Sequence, residues 1–526
     1  MWKRKFRAAA LCLAAGVLLM GGTACDGQPA DSSAAPSSPG SETTAPSTTA
    51  KPDKNVLFGV DYDADSDAFY DKKEHYITWL NVWNGSSEYW WAQRAATNSY
   101  YGTKVLVDGE YVCFDSMNEK HRLAMFQQAK DAGIDVLVMD LTNGHSGWGT
   151  PSKGYQKLCF ENNMKFAAAV HPTSAQHMEE ICAFIWKSYA APGTALYSSA
   201  YMYKNGKPVL VLYCSPGEFE AASASTGEYR QKFEVVWASG EDSKADKWGW
   251  QIVPQDGPML SGDSMFVTPS IAWNSPQGSA GSWRKSLAML DFCFLARNEA
   301  KPTYTIVGSI DDMSERNGWA IMDTTNAVQQ SQDGPGKPVV ESMGDGLQMR
   351  DINGNISFDA YYNRVKSWIA GEAGAYNPGG VIPDGAYTIT GVSSGKQFGV
   401  IRPKVRSEND IGAAFVQDTY LYTDMESYYW FYHLGNDEYR IVKLTSGLSL
   451  QPGGEELIQQ WTDAVEEQRW LIKKLDNGSY TLVNKKTGQA IADAAQTQGN
   501  IRVLPADAGS AQQQWRLEPV ANRIME

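Results

Sequence analysis

Short apolar runs alternate with amphipathic stretches across residues 55–379, which predicts a repeated strand-helix pattern. The runs are rich in β-branched side chains, as expected for strands that are buried on both faces of a parallel sheet. One intervening stretch, residues 119–132, has the period of an amphipathic helix. The pattern therefore predicts an α/β fold, a (β/α)8 TIM-type barrel. The predicted strands are residues 75–82, 134–139, 165–170, 208–213, 233–237, 265–271 and 304–309, with either 56–60 or 338–341 as the eighth.

Residues 380–526 carry a different pattern, in which a shorter all-β unit occurs three times. The cluster YNPGGVIP at residues 376–383 breaks the preceding pattern and predicts the domain boundary. Each unit opens with an alternating strand, passes through a Ser-Gly or Thr-Gly turn and closes near a Trp. The units open at Tyr387, Tyr439 and Tyr480, turn at Gly395, Gly447 and Gly488, and close at Trp430, Trp470 and Trp515. Three such units predict a closed threefold β structure.

The first 54 residues lack the features of a folded domain. Four basic residues precede an apolar run that ends in GGTAC at Cys25, which is typical of a secretory signal and too short to span a membrane. Residues 22–25 resemble a bacterial lipobox, which implies a lipid on Cys25; ordinary cleavage is the alternative. Residues 26–54 are rich in Ser, Thr and Pro and predict a disordered linker. We therefore expect a signal peptide over residues 1–25 and a lipid-anchored protein on the extracellular face of a bacterial cell membrane.

Charge and cysteine content narrow the possible partners. The formal net charge of -14 argues against nucleic acid as a partner. Beyond residue 25 the cysteines show no C-x-x-C spacing, which argues against both a disulfide scaffold and a structural zinc site. They are Cys113, Cys159, Cys182, Cys214 and Cys293. We expect a monomer without metal or cofactor.

Catalytic chemistry is predicted directly after the last strand of the βα pattern. Asp312 and Glu315 follow residues 304–309, and side chains just past the carboxyl end of such a strand face the substrate crevice. Residues three apart in a helical turn have Cβ atoms about 5 to 6 Å apart. This spacing suits the carboxylate pair of a retaining glycosidase, whose separation is about 5 to 5.5 Å. The alternative is a helix capping box, which has the same spacing.

Polar and aromatic residues also follow other predicted strands. Aromatic rings stack on the apolar faces of sugars, and carboxylates and amides bind sugar hydroxyls, so this mixture predicts a glycan cleft. The alternative is a core position for each Trp and a structural role for each His. The candidates for substrate binding are Tyr76, Trp79, Asp140, His145, His171, Trp273, Asn274, Asp311 and Trp319. The spacing of the His residues fits no zinc motif.

The stretch SIDDMSERNGW resembles the motif Ser-Phe-Asn-Glu-Trp-His-Glu of glycoside hydrolase families 71 and 99, the endo-α-mannosidase and α-glucanase group. HYITWLNVWNG is similar to their first strand through Tyr76 and Trp79. The resemblance implies a retaining, endo-acting hydrolase of α-linked mannans or glucans, with Glu315 as general acid/base and Asp312 as assisting base. Asp312 is one methylene shorter than the Glu of the motif. A glycan-binding protein with a degenerate, non-catalytic barrel is therefore the alternative.

The C-terminal repeat resembles the ricin-type β-trefoil lectin family, which has a Gln-x-Trp at the end of each unit. Gln468 to Trp470 and Gln513 to Trp515 match this motif, and YYW at residues 428–430 is a degenerate copy. The resemblance implies that these Trp residues belong to the core. It also implies a weak sugar site at Asp493 and Asn500 in the third unit. A purely structural trefoil is the alternative to a working lectin domain.

Overall fold

The computed structural model describes residues 63, 67–82, 104–142, 144, 149–238, 259–267, 286–309, 350–355, 357, 359–372, 380–399, 412–418, 427–444, 446–494 and 499–520. The leader, the linker and both candidates for an eighth strand lie outside these ranges, so they stay predictions. Pro52–Glu526 forms one compact unit. Within the described residues, no helix is both long enough and apolar enough to cross a membrane.

The N-terminal part contains a nine-stranded sheet and a separate hairpin, β2–β3. All seven predicted strands are present in the sheet, and β10 is shorter than predicted. The strands are β1 His75–Asn81, β2 Lys104–Val107, β3 Glu110–Cys113, β4 Val136–Asp140, β5 Lys165–Val170, β6 Tyr203–Lys204, β7 Lys207–Leu212, β8 Glu234–Trp237, β9 Met259–Ser261, β10 Ser264–Phe266 and β11 Tyr304–Ser309.

Seven of these strands run parallel in the order β8–β7–β5–β4–β1–β11–β10. Strands that follow one another in the chain are neighbours in the sheet, and the last one, β11, pairs with the first, β1. This order is that of a sheet that curls round on itself. The described strands do not link β8 to β10, so the structure shows a mixed, curled sheet with helices, and the complete barrel stays a prediction.

Among the described residues, six α-helices accompany the sheets. Helix α1 begins where the Asn118 side chain accepts hydrogen bonds from the backbone N–H groups of Lys120 and His121, and it ends one residue earlier than predicted. Apolar side chains on the outer face of the sheet, such as Phe166 and Leu210, pack in one cluster with the helices. The helices are α1 Glu119–Asp131, α2 Gly149–Glu161, α3 Ala175–Ile185, α4 Pro216–Ser223, α5 Leu287–Ala300 and α6 Ala360–Ile369. Shorter helical turns are Ala68–Asp71, Trp186–Ala190, Ser198–Ala200, Arg230–Lys232, Glu466–Gln468 and Ala511–Gln513.

The inner face of the curled sheet has a core of its own. Because successive side chains of a strand alternate between faces, every second residue of the parallel strands points inward. The inward side chains form a compact apolar cluster that includes Ile77, Trp79, Val136, Val138, Ala167, Ala169, Val209, Val211, Val236, Phe266, Tyr304 and Ile306. The interior is therefore filled by side chains between the two edges of the sheet.

Charged residues cover the amino edge of this inner core. The Lys165 ammonium contacts the Asp67 carboxylate and donates a hydrogen bond of 2.7 Å to the Ser199 carbonyl. His75 Nδ1 lies 3.1 Å from an oxygen of Asp135, whose other oxygen accepts from the Tyr76 backbone N–H. Each buried charge in this layer therefore has an opposite charge or a hydrogen-bond partner, as burial requires.

The C-terminal part forms a 12-stranded antiparallel structure with threefold regularity. The Tyr near the start of each unit pairs with the aromatic residue that begins the strand at the Gln-x-Trp motif or its degenerate copy: Tyr387 with Tyr429, Tyr439 with Trp470, and Tyr480 with Trp515. The strands are β12 Gly385–Gly391, β13 Gln397–Gly399, β14 Val416–Asp418, β15 Tyr429–Gly435, β16 Glu438–Lys443, β17 Ser449–Gly453, β18 Glu456–Gln460, β19 Trp470–Lys474, β20 Tyr480–Asn484, β21 Gln489–Ala492, β22 Arg502–Pro505 and β23 Trp515–Pro519. This arrangement is that of a β-trefoil.

The predicted turns repeat with nearly identical geometry. Gly395, Gly447 and Gly488 have φ values of 68°, 67° and 67°, a left-handed conformation that favours glycine. Each donates a backbone hydrogen bond of 2.9 Å to the carbonyl four residues earlier. The three turns predicted from the sequence are therefore confirmed.

The expected role of Trp430 is corrected by the structure. Trp470 and Trp515 are fully buried in the trefoil core, as predicted, but Tyr429 occupies the equivalent position in the first unit. Trp430 lies one residue later, so its side chain points to the opposite face of the strand. It packs with the core of the N-terminal part instead.

Replacing Lys165 by Ala should lower the free energy of unfolding by roughly 3 kcal/mol, because it leaves the Asp67 carboxylate without its buried partner. Urea denaturation followed by circular dichroism measures this change. Lys120→Ala is the matched control, since the Lys120–Asp108 pair is exposed to solvent and its loss should leave the free energy of unfolding nearly unchanged. Equal effects of the two substitutions would contradict the structural role of Lys165.

Candidate functional site

Both predicted catalytic residues and six other predicted site residues lie outside the described residues. The structure describes β11 up to Ser309, and the acidic segment that follows it begins beyond that point. The residues concerned are Asp311, Asp312, Glu315, Trp319, His145, Trp273, Asn274 and Cys25. Their roles stay predictions.

Two predicted site residues, Asp140 and His171, lie at the carboxyl edge of the parallel sheet. Asp140 ends β4 and pairs with Ala169 of β5, and His171 lies two residues past Ala169 on the same face. One oxygen of the buried Asp140 carboxylate accepts hydrogen bonds from the backbone N–H (2.9 Å) and hydroxyl (2.6 Å) of Thr142. The parallel register of β4 and β5 therefore brings these two residues to the same edge of the sheet.

Two further residues extend this edge and were not among the predicted ones. Tyr213 follows β7 and its ring lies edge-on to the His171 ring, with centroids 6.4 Å apart. Glu218, in the first turn of α4, places a carboxylate oxygen 3.6 Å from His171 Nε2. The sequence signal for Glu218 is the Ser-x-x-Glu spacing from Ser215, a capping box directly after a strand.

The Glu218 carboxylate is held as a charged group. Burial alone would raise its pKa, but the hydrogen bonds from Ser215 N (2.9 Å) and Ser215 Oγ (2.8 Å) and the nearby His171 imidazole lower it below the ordinary value. The carboxyl edge thus combines Asp140 and Glu218 with the imidazole of His171 and the phenol of Tyr213. Such groups can donate to and accept from sugar hydroxyls.

Tyr76 and Trp79 lie apart from this edge. Tyr76 is near the start of β1, and the guanidinium of Arg297 lies 5.1 Å from the centre of its ring. Burial raises the pKa of the Tyr76 phenol. Trp79 faces inward and is 1% exposed, among the apolar side chains of the inner core. The structure therefore gives Trp79 a core position, which was the alternative to stacking on a sugar.

Four cysteines are buried free thiols: Cys159, Cys182, Cys214 and Cys293. Burial raises the pKa of Cys182 and of Cys214 to about 12, and it also raises the pKa values of Cys159 and Cys293. These thiols are therefore poor nucleophiles. Within the described ranges, no three His, Cys, Asp or Glu side chains are grouped so that they could hold a metal ion.

The predicted sugar contact Asp493 has a different role in the trefoil. Its buried carboxylate accepts hydrogen bonds from Ser393 Oγ (2.6 Å), from Ser394 N and Oγ (3.1 Å each) and from the Gln417 amide. These donors belong to the first unit, so Asp493 ties the third unit to the first. Asn500 is exposed and donates to Glu456 Oε1 at 2.5 Å. The structure thus separates the two residues into different hydrogen-bond networks.

The second unit presents an aromatic surface residue that the sequence reasoning missed, Trp461. In the Gln-x-Trp motif of this unit, the buried Gln468 amide donates to the Trp461 carbonyl. In the third unit, Gln513 donates to the carbonyl of Pro505 at 2.9 Å, so Pro505 is the counterpart of Trp461. Trp461 is only partly buried. The signal in the sequence was a Trp with no counterpart in the next repeat.

Polar side chains surround Trp461. Gln468 Nε2 lies 3.1 Å from Gln451 Oε1, and the Gln460 side chain accepts from the Trp461 backbone N–H at 3.0 Å. The hydroxyls of Ser449 and Thr462 are 2.7 Å apart. The second unit therefore carries a partly exposed aromatic residue whose backbone is hydrogen-bonded to side-chain amides, and these residue types suit a sugar.

Comparison with known proteins identifies the C-terminal domain. The family model described as "Ricin-type beta-trefoil lectin domain-like" matches residues 428–504 and 466–525. The C-terminal part of the chain is therefore similar to a ricin-type β-trefoil lectin domain. No curated protein matches the chain.

Several solved structures are similar to about a quarter of the chain. The designed threefold symmetric protein ThreeFoil is 27% identical, with a TM-score of 0.23, over 26% of this chain and 100% of that one. An exo-beta-1,3-galactanase from Clostridium thermocellum is 23% identical, with a TM-score of 0.22, over 26% of this chain and 30% of that one. A Polyporus squamosus lectin, bound to a human-type influenza-binding epitope, is 16% identical, with a TM-score of 0.22, over 26% of this chain and 49% of that one.

Replacing Asp493 by Ala should lower the free energy of unfolding by about 1 to 3 kcal/mol, because Ser393, Ser394 and the buried Gln417 lose their acceptor. Thermal and urea denaturation measure the loss. Asn500→Ala, at an exposed position, is the control and should leave stability unchanged. A stable Asp493→Ala protein that has lost glycan affinity would show instead that Asp493 is a sugar contact.

Proposed function

Starting from a ricin-type lectin domain, we propose that this protein binds glycans through the second trefoil unit, with Trp461 at the centre of the binding surface. The partly exposed indole ring carries this proposal. A sugar ring stacks its apolar face on an indole, and side-chain amides such as those of Gln451 and Gln460, on the paired strands β17 and β18, bind sugar hydroxyls. The third unit offers Pro505 at the same position, which has no aromatic face.

Trp461→Ala should weaken glycan binding at least about tenfold, since a tenfold loss corresponds to about 1.4 kcal/mol and a stacked aromatic contributes that much. A glycan array first selects the ligand, and titration calorimetry of the full chain then measures the affinity. Pro505→Ala, at the symmetry-related position, is the matched control and should bind like the wild type. An unchanged affinity of the Trp461→Ala variant would refute the assignment.

We further propose that the N-terminal part is a glycoside hydrolase that acts inside α-linked glycans of the mannan or glucan type. In this proposal Glu315 is the general acid/base and Asp312 the assisting base. Two observations support this proposal. The segment after β11 resembles the motif of glycoside hydrolase families 71 and 99, and Asp140, His171 and Glu218 lie together at the carboxyl edge of the parallel sheet. In parallel sheets, substrates bind at this edge. Because the leader resembles a lipobox, we also expect this reaction to take place at the extracellular face of the bacterial cell membrane.

Glu315→Gln should lower the hydrolysis rate of α-mannan or α-glucan at least about 100-fold, because the amide cannot transfer the proton that a general acid supplies. Reducing-sugar release by the full chain, with product analysis, measures the rate. Glu372→Gln, at an exposed position after α6, is the control and should retain full activity. Unchanged hydrolysis by the Glu315→Gln variant would refute the catalytic role of Glu315.

A non-catalytic glycan-capture protein is the second candidate function. The observation that favours it is Asp312, whose carboxylate is one methylene shorter than that of the Glu in the family motif. Under this proposal the wild type binds the array-selected glycan in calorimetry, and prolonged incubation releases no product. Release of product from this glycan by the wild type would instead favour the glycoside hydrolase.

A further inference from the structure

The first trefoil unit differs from the other two on its outward face. In β19 of the second unit, the outward positions after the core Trp are Leu471 and Lys473, and both are exposed. In β23 of the third unit they are Arg516 and Glu518, which are exposed as well. The equivalent residues of β15 in the first unit are Trp430 and Tyr432. Each of these two is only 3% exposed.

The outward aromatic residues of β15 pack on the helices of the N-terminal part. Trp430 and Tyr432 belong to the same apolar cluster as Phe292 and Phe294 of α5 and Trp368 of α6. The rings of Phe294 and Trp368 stack with centroids 5.4 Å apart, and the Tyr428 ring lies 6.5 Å from that of Phe292. The first unit and the two helices therefore share one continuous core.

A buried carboxylate lies in the middle of this contact. Asp291 of α5 is 0% exposed and accepts four hydrogen bonds. Arg364 of α6 donates two, at 2.6 and 3.0 Å, and the Trp368 indole N–H donates a third at 2.6 Å. The fourth comes from the Tyr432 hydroxyl of the trefoil, at 2.7 Å. Both carboxylate oxygens are thus paired, which a buried charge requires.

A turn of the trefoil also approaches the start of α5 closely. A Cβ atom at Gly447 would lie 2.6 Å from the Cβ of Ser286, the residue that caps α5. The trefoil therefore contacts α5 at its first residues through this turn and near Asp291 through β15.

We propose that the first trefoil unit is a docking surface for helices α5 and α6 and takes no part in glycan binding. The face that is exposed in the second and third units is covered here by the N-terminal part. The trefoil consequently presents glycan from its other units only, at a fixed position relative to the parallel sheet. The two parts unfold as one cooperative unit, whether or not the trefoil binds a glycan.

Differential scanning calorimetry of the full chain tests this inference. The wild type should unfold in one transition, and Trp430→Ala should lower its midpoint by several degrees or split it into two. Arg516→Ala is the matched control, because Arg516 occupies the equivalent outward position in the third unit. It should leave the transition unchanged. Two separate transitions in the wild type, or equal shifts for the two variants, would overturn the proposal.

A milder variant covers the case in which Trp430→Ala does not fold. Tyr432→Phe removes only the hydroxyl that donates to Asp291. Limited proteolysis of this variant should release a trefoil-sized fragment several-fold faster than proteolysis of the wild type, with the fragment itself remaining folded. Tyr387→Phe also removes one tyrosine hydroxyl, which bonds to Pro383 away from the helices, and serves as control. Equal release rates for Tyr432→Phe and the wild type would contradict docking through β15.

Discussion

The relative position of the two sheets depends on the burial of one carboxylate, that of Asp291. A charge without water needs opposite charge and hydrogen bonds, and Asp291 finds them on two separate elements, α6 and β15. Burial and charge pairing act in opposite directions on Arg364. Burial alone would lower the pKa of its guanidinium, but the Asp291 charge raises this pKa above its ordinary value. Burial and Asp291 also raise the pKa of Tyr432 well above its usual range, so the phenol remains a donor.

The threefold regularity of the trefoil is kept where the core demands it and lost where the surface has another role. Turn glycines and the inward aromatic residues repeat in all three units because they close the same structure. The outward face of the first unit instead carries Trp430 and Tyr432 and packs on helices. The degenerate YYW motif is a consequence, since the core position belongs to Tyr429 and the Trp serves the opposite face.

Two surfaces of the chain combine polar groups with aromatic rings in a way that suits sugars. Parallel register brings Asp140, His171 and Tyr213 to one edge of the curled sheet, with Glu218 from the following helix. Trp461 stands among amides on the second trefoil unit. Under the two proposed functions, the trefoil would keep a polymeric glycan near the carboxyl edge of the parallel sheet.

Local patterns in the sequence were sufficient for the seven parallel strands, for helix α1 and for the three Ser-Gly or Thr-Gly turns, because periodicity and backbone conformation depend on neighbouring residues; the hairpin β2–β3 and the strands β6 and β9 were missed. They were also sufficient for the trefoil, whose repeats are internal copies. The partners of Asp493, the direction of Trp430 and the burial of Asp291 were decided by the tertiary structure alone. Each depends on residues far apart in the chain, and a shift of one residue reverses the face of a strand. The same long-range pairing buries the Asp493 carboxylate among donors of the first unit and leaves Trp461 partly exposed.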